Sequence, residues 1–178
     1  MTKREPELSI VLPCLNEEYG LNLSLDHILK IIAWYKLSAE VLVIDNGSTD
    51  RSRLVAQKFP SVQIIEEPER GYGSACLTGL KAARGMFLIL ADCDGSYDFD
   101  HIPLFRDKLA EGYEFVIGNR FAGRMGNKSM PWIHRYIGNP ILSGLLRLFF
   151  RSSIHDSHCG MRAITRRAFE RLNLRTIG

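Results

Sequence analysis

Two kinds of hydrophobic pattern alternate along the first two thirds of this chain. Short apolar runs occupy residues 8–12, 40–45, 62–66 and 86–91. Such unbroken runs are what strands covered on both faces require. Between the first two, Leu21, Leu25, Ile28, Leu29 and Ile32 recur at helical spacing, which predicts an amphipathic helix over 17–35. Asn46 and Gly47 form a turn, and Ser48, Thr49 or Asp50 is placed to cap a helix running towards Phe59. A third helix is predicted over 73–84, a fourth near 102–110, and a further strand near 115–118. This alternation with short connections predicts an α/β three-layer sandwich, a mostly parallel sheet flanked by helices. Past residue 118 the rhythm changes. Gly123, Gly126, Asn127 and Ser129 read as a loop, followed by a helical region over 132–150, a strand at 161–164 and a helix at 166–172. Neither a repeat nor a linker divides residues 1–178, so a single domain is expected.

Composition narrows the class. At 178 residues, 46% of them hydrophobic, the chain is long enough for one sizeable core, and disordered or collagen-like classes are excluded. The four cysteines, at 14, 76, 93 and 159, lack a CxxC pair and read as reduced, buried thiols of a cytoplasmic protein. The polar start and the lack of a long apolar segment predict neither a signal peptide nor a transmembrane span. Residues 140–151 suit either a core helix or a membrane-surface helix, with Arg147 and Arg151 on one face.

The net charge of +3 conceals an asymmetry. Residues 1–100 carry 10 basic against 15 acidic side chains, a net of −5, and residues 101–178 carry 13 against 5, a net of +8. An acidic half joined to a basic half fits a site that binds a cation on one side and an anion on the other. The basic residues interleave with aliphatic ones rather than aromatic platforms, which argues against nucleic acid.

Ligands of parallel sheets gather beyond the carboxyl ends of the strands. Three strands end there in polar residues: Asn16, Glu17 and Glu18 after the first, Asp45 to Asp50 after the second, and Asp92, Asp94 and Asp98 after the fourth. So many carboxylates repel one another unless a cation or ligand hydroxyls compensate. Asp92 and Asp94 stand two apart, so an extended backbone points both side chains to one face. Two hard carboxylates of this kind can share Mg²⁺ or Mn²⁺ with phosphate oxygens of a ligand. The Gly71–Gly73 pair lacks the third glycine of a dinucleotide fingerprint and does not directly follow a strand, so an NAD site is set aside.

Taken together, the segments 11–18, 43–50, 70–73 and 91–95 resemble the successive motifs of family 2 glycosyltransferases with the Rossmann-like GT-A fold. The later segments 118–120, 134–139 and 156–163 are similar to the branch that makes polyprenyl-phosphate or dolichol-phosphate mannose or glucose. The resemblance implies a nucleotide pocket lined by Pro13, Asn16, Glu17, Asp45, Gly47, Arg70, Gly71 and Asp92. It implies Asp94 as the principal metal ligand, with Asp92 beside it. Ser96 stands where some members carry a metal-binding Gln. Arg120, Arg135 and Asn139 match acceptor-phosphate positions, and Asp156 is placed to orient the donor or the arginines.

The function so implied is metal-dependent, inverting transfer of a hexose from a UDP- or GDP-sugar to a polyprenyl phosphate, peripherally at the cytoplasmic membrane face through the 140–151 helix. An anionic phosphate acceptor needs no general base. Residues 1–118 form the donor half and residues 119–178 an acceptor half that is expected to continue further in the family. Two alternatives stay open. One is transfer to a hydroxyl of a glycan or protein, with Asp156 as base; the other is a nucleotide-sugar-binding fragment without turnover. The motifs do not specify the sugar, the base or the oligomeric state.

Overall fold

The computed structural model describes residues 5–119, 156 and 159–175. The chain divides into two compact units, residues 1–116 with 163–178, and residues 117–162. The expected loop at 123–129, the 132–150 helical region, Arg120, Arg135, Asn139 and the 140–151 segment lie outside the described residues.

In the first unit the elements run β1 (Leu8–Cys14), α1 (Glu18–Trp34), β2 (Ala39–Asp45), α2 (Ser52–Gln57), β3 (Val62–Glu66), α3 (Tyr72–Ala82) and β4 (Phe87–Leu90). A 3₁₀ turn (Phe99–His101), α4 (Ile102–Ala110), β5 (Phe115–Ile117), β6 (Arg162–Thr165) and α5 (Arg166–Leu172) follow. The six strands are ordered β3-β2-β1-β4-β6-β5. β3, β2, β1 and β4 are parallel to one another. β6 runs the other way, because its carboxyl end meets the starts of its neighbours: Arg166 N donates to Met86 O and Thr165 N to Glu114 O. The sheet is therefore mixed, with one reversed strand inserted between parallel ones.

β1 runs through Pro13 to Cys14, two residues further than its apolar run. The ladder to β4 ends at the pair Val11↔Leu90, whereas the ladder to β2 continues to Cys14↔Asp45. Pro13 shares the parity of Val11, whose carbonyl faces β4, so the N–H it lacks falls on the side where that ladder has stopped.

β1 is buried along its whole length and β2 along all but its first residue, as their continuous apolar runs require. On one face Val11, Leu42, Ile44 and Leu88 pack with Ala75, Leu80 and Ala83 at α3 and Phe169 of α5. Gly79 lets α3 lie flush on the sheet, since a Cβ there would overlap Val11 and Ile44. At the amino-terminal edge, far from the polar strand ends, buried Glu40 accepts from Ser9 Oγ at 2.7 Å and from Arg84 N at 2.6 Å. The Arg84 guanidinium adds bonds of 2.9 and 2.6 Å to its second oxygen.

Candidate active site

The strand order places the carboxyl ends of β2, β1 and β4 side by side, so three sequence-distant loops converge. The loops after β1 and β2 are tied together by side chains acting on backbone. Asn16 Oδ1 accepts from Thr49 N at 2.7 Å and from Asp50 N at 3.3 Å, while Ser48 Oγ accepts from Asn16 N at 3.1 Å. Ser52 Oγ accepts from Glu17 N at 2.8 Å, and Asp50 Oδ2 from Glu18 N at 3.1 Å. Asn16 holds φ at 59°, a left-handed conformation that asparagine tolerates better than most residues. Its amide oxygen is thus committed to the neighbouring loop. Asp45, buried at the end of β2, accepts from Ser48 N at 3.0 Å and sets the turn through Gly47 (φ 82°).

The loop after β3 is fastened over this pair by Asn46. The Asn46 Nδ2 group donates to Glu67 O at 3.0 Å and Glu69 O at 2.7 Å, and Oδ1 accepts from Gly71 N at 2.8 Å. The Glu67 carboxylate closes the same loop, accepting from Glu69 N at 2.7 Å and from the Thr78 hydroxyl. Those bonds hold the Glu67 carboxyl below its usual range. Arg70 lies across Gly47, donating to its carbonyl at 3.3 Å, and a Cβ at Gly47 would come within 3.3 Å of its guanidinium.

Asp92 and Asp94 differ in what they have left to offer. Asp92 Oδ1 accepts from the Tyr72 hydroxyl at 2.7 Å and Oδ2 from the Tyr97 hydroxyl at 3.2 Å. Burial and the Asp92 carboxylate push the Tyr72 phenol well above its ordinary value, so it stays a donor. Asp94 Oδ1 accepts from Ser96 N at 2.8 Å, and its Oδ2 takes no hydrogen bond among the described residues. Beneath Asp94 lies Gly20, in the first turn of α1. Partial burial, with the charges of Asp94, Asp50 and Asp92, raises the Glu17 carboxyl above its usual range.

That surplus of negative charge, with one open carboxylate oxygen on Asp94, fits a hard divalent cation. Ser96 reaches this site through its backbone N–H, which orients Asp94. Cys14 and Cys93 share a thiol hydrogen bond underneath, and Cys93 donates to Pro13 O at 3.2 Å. The hydrogen bond with Cys14, together with burial, pushes the Cys93 thiol up, against a nucleophilic role. His27, Asp98 and Asp100 bring three ligand-type atoms within 4.8 Å, but His27 Nε2 is already 2.9 Å from Asp100 Oδ1 in an exposed pair.

Of the donor-side residues expected from sequence, Pro13, Asn16, Glu17, Asp45, Gly47, Arg70, Gly71, Asp92, Asp94 and Ser96 all lie in this unit, on the three converging loops and the 67–71 loop tied to them. Asp156 belongs to the other unit, where it is fully buried and its carbonyl accepts from Cys159 N at 3.3 Å. Sequence reading missed Asn46, Tyr72, Tyr97 and Gly20. A glycine inside a helical pattern is a signal for close backbone approach, and Gly20 carried it.

The profile of glycosyl transferase family 2 matches residues 9–172, and the chain belongs to that family. The fold is GT-A. Over 91% of this chain, the structure superposes with TM-score 0.70 and 22% identity on glucosyl-3-phosphoglycerate synthase of Mycobacterium tuberculosis, solved with Mn²⁺, UDP and glucosyl-3-phosphoglycerate. Another structure of that enzyme holds Mn²⁺, UDP-glucose and phosphoglyceric acid together. Among curated relatives, the low-salt glycan biosynthesis hexosyltransferase Agl6 of Haloferax volcanii is 33% identical over 174 residues, 97% of this chain and 42% of its own length. A dolichyl-phosphate hexose transferase of the same organism is 32% identical over 160 residues, covering 90% of this chain and 67% of its own length. The chain thus spans less than half of the first of these relatives, and 57% of the solved synthase.

These comparisons correct the expected acceptor. The same fold surrounds a small soluble phosphorylated compound in the synthase structures, so the fold and its donor-side strand ends do not select a polyprenyl or dolichol phosphate. The membrane surface drops out with it as a partner. The 140–151 segment lies outside the described residues, and no described helix is long and apolar enough to cross a membrane.

Proposed function

We propose that this domain transfers glucose from UDP-glucose to a hydroxyl group of a small phosphorylated acceptor, with Mn²⁺ or Mg²⁺ as cofactor. The observation that carries this reading is the pairing of Asp92, both oxygens held by tyrosines, with Asp94, one oxygen open, at the end of the strand beside β1. The synthase structures of the same fold, with UDP-glucose, Mn²⁺ and phosphoglyceric acid, support the choice of ligands. The four buried cysteines fit action in the reducing cytoplasm.

In this reading Asp94 holds the cation, and Ser96 N and Gly20 fix where Asp94 stands. A bound divalent ion supplies charge stabilisation for the departing nucleoside diphosphate. Asp92 accepts from donor hydroxyls. Asn16, Asp45 and Asn46 hold the loops after β1, β2 and β3 in register, so the donor meets a preformed surface. Arg70 and the backbone around Gly47 and Gly71 form the wall over the nucleotide. A hydroxyl acceptor, unlike a phosphate oxygen, must lose a proton as it attacks. Arg120 and Arg135, with Asn139 as a neutral donor, are assigned to the acceptor's anionic group.

The test is an acceptor panel with radiolabelled UDP-glucose and MnCl₂, comparing 3-phosphoglycerate, glycerol 3-phosphate and a short-chain polyprenyl phosphate. Label in a small phosphorylated compound, lost with EDTA, is the expected result. Label only in the lipid overturns the acceptor assignment.

A further inference from the structure

We propose that Tyr72 is a positioning residue that holds Asp92 in place and couples the 67–71 loop to the metal-side loop; this rests on the donor-site reading above. β1 lies between β2 and β4, so a segment anchored at both outer strands must cross the carboxyl end of β1. Residues 67–72 form such a strap. One anchor is Asn46, just after β2, which binds the backbone at Glu67, Glu69 and Gly71. The other is the Tyr72 hydroxyl, which reaches Asp92 just after β4 at 2.7 Å. Between them Arg70 is pinned on Gly47.

The side chain of Tyr72 is otherwise out of keeping with its position. As a residue it is 57% exposed at the start of α3, where a polar side chain would suffice. Its hydroxyl is nevertheless committed to a carboxylate. Tyr97 supplies the second, longer bond at 3.2 Å from within the loop that follows β4. The two phenols, one on each carboxylate oxygen, fix the orientation of Asp92. The two acidic residues thus divide the work. Asp94 keeps an oxygen for the cation, and Asp92 is kept off it by the strap.

The experiment is calorimetric titration of UDP with MnCl₂ into the full chain and its Tyr72→Phe variant, with donor kinetics and hydrogen exchange at the Gly71 amide. Removing one charge-assisted bond is expected to weaken UDP binding about tenfold. KM for the donor should rise in parallel while kcat changes less than about twofold, since the bond positions ground and transition states alike. Exchange at Gly71 should accelerate without ligand, with the global unfolding midpoint unchanged. The Asp92→Asn, Tyr72→Phe double variant should bind no worse than Asp92→Asn alone, because the tyrosine acts through Asp92. A Tyr72→Phe protein with wild-type affinity and wild-type Gly71 exchange overturns the assignment, as does full additivity in the double variant. A wild-type chain that binds no UDP with Mn²⁺ overturns the donor-site reading itself, and the assignment with it.

Discussion

Gly20 sits so close beneath Asp94 that a Cβ would stand 2.5 Å from the Asp94 carbonyl carbon and 2.6 Å from its Cα. The obstacle is backbone, which cannot swing aside as a side-chain tip can. The first turn of α1 therefore serves as the floor on which the proposed metal ligand rests.

Gly20→Ala should accordingly displace Asp94. Overpacking of this kind costs about 1–3 kcal/mol of stability. Mn²⁺-dependent UDP binding should fall further than that loss of stability explains. Titration at a temperature where the variant is fully folded checks this, and unchanged affinity would show that Asp94 does not depend on the α1 floor.

Asp94→Asn should keep the fold and lose transfer by about a hundredfold or more, since the cation's charge stabilisation of the leaving group is worth several kcal/mol. Asp92→Asn should raise donor KM chiefly. Steady-state kinetics across a Mn²⁺ series separates the two, because only the Asp94 variant should demand more metal.

Asn46 makes three bonds from a site only 3% exposed. Asn46→Ala should cost about 2–4 kcal/mol, given about 1 kcal/mol for each net bond and more where a buried carbonyl is orphaned. Asn46→Asp should be no better, because it sets a carboxylate against the carbonyls of Glu67 and Glu69. Urea midpoints at constant m-value measure both.

Much of this architecture is legible from residue pattern alone. The apolar runs at 40–45 and 86–91 demanded strands covered on both faces, and the polar residues at their ends marked the ligand side. What was not legible came from contacts between distant segments. Nothing local says that Asn16 binds the loop at 49–50, or that Tyr72 reaches Asp92 twenty residues on. The reversed direction of β6 also escaped a reading based on βα alternation, since Met161 to Ile164 is too short to show its partner. The acceptor was misread because an arginine pair suits a phosphate on a lipid or on a small molecule equally well.

Glu40 links stability to pH. Burial raises its carboxyl pKa, but the bonds from Ser9 and Arg84 outweigh burial and hold it below the usual range. A depressed folded-state pKa means the contribution is complete above the unfolded value of about 4.3 and is lost as pH falls through the folded value. Glu40→Gln should therefore flatten the acid limb of the stability profile while changing little in donor binding, since Glu40 lies at the opposite end of the strands. Denaturant titrations between pH 3 and 7 test it, with an unchanged acid limb contradicting the assignment.

The central claim is metal-dependent glucosyl transfer to a carbon-borne hydroxyl, and phosphorus NMR of the wild-type chain with UDP-glucose, Mg²⁺ and 3-phosphoglycerate tests it most directly. Free UDP signals should grow only with both Mg²⁺ and acceptor present, while the acceptor phosphorus remains a monoester. An acceptor phosphorus converted to a diester, or no UDP released with either small phosphorylated acceptor, would contradict it.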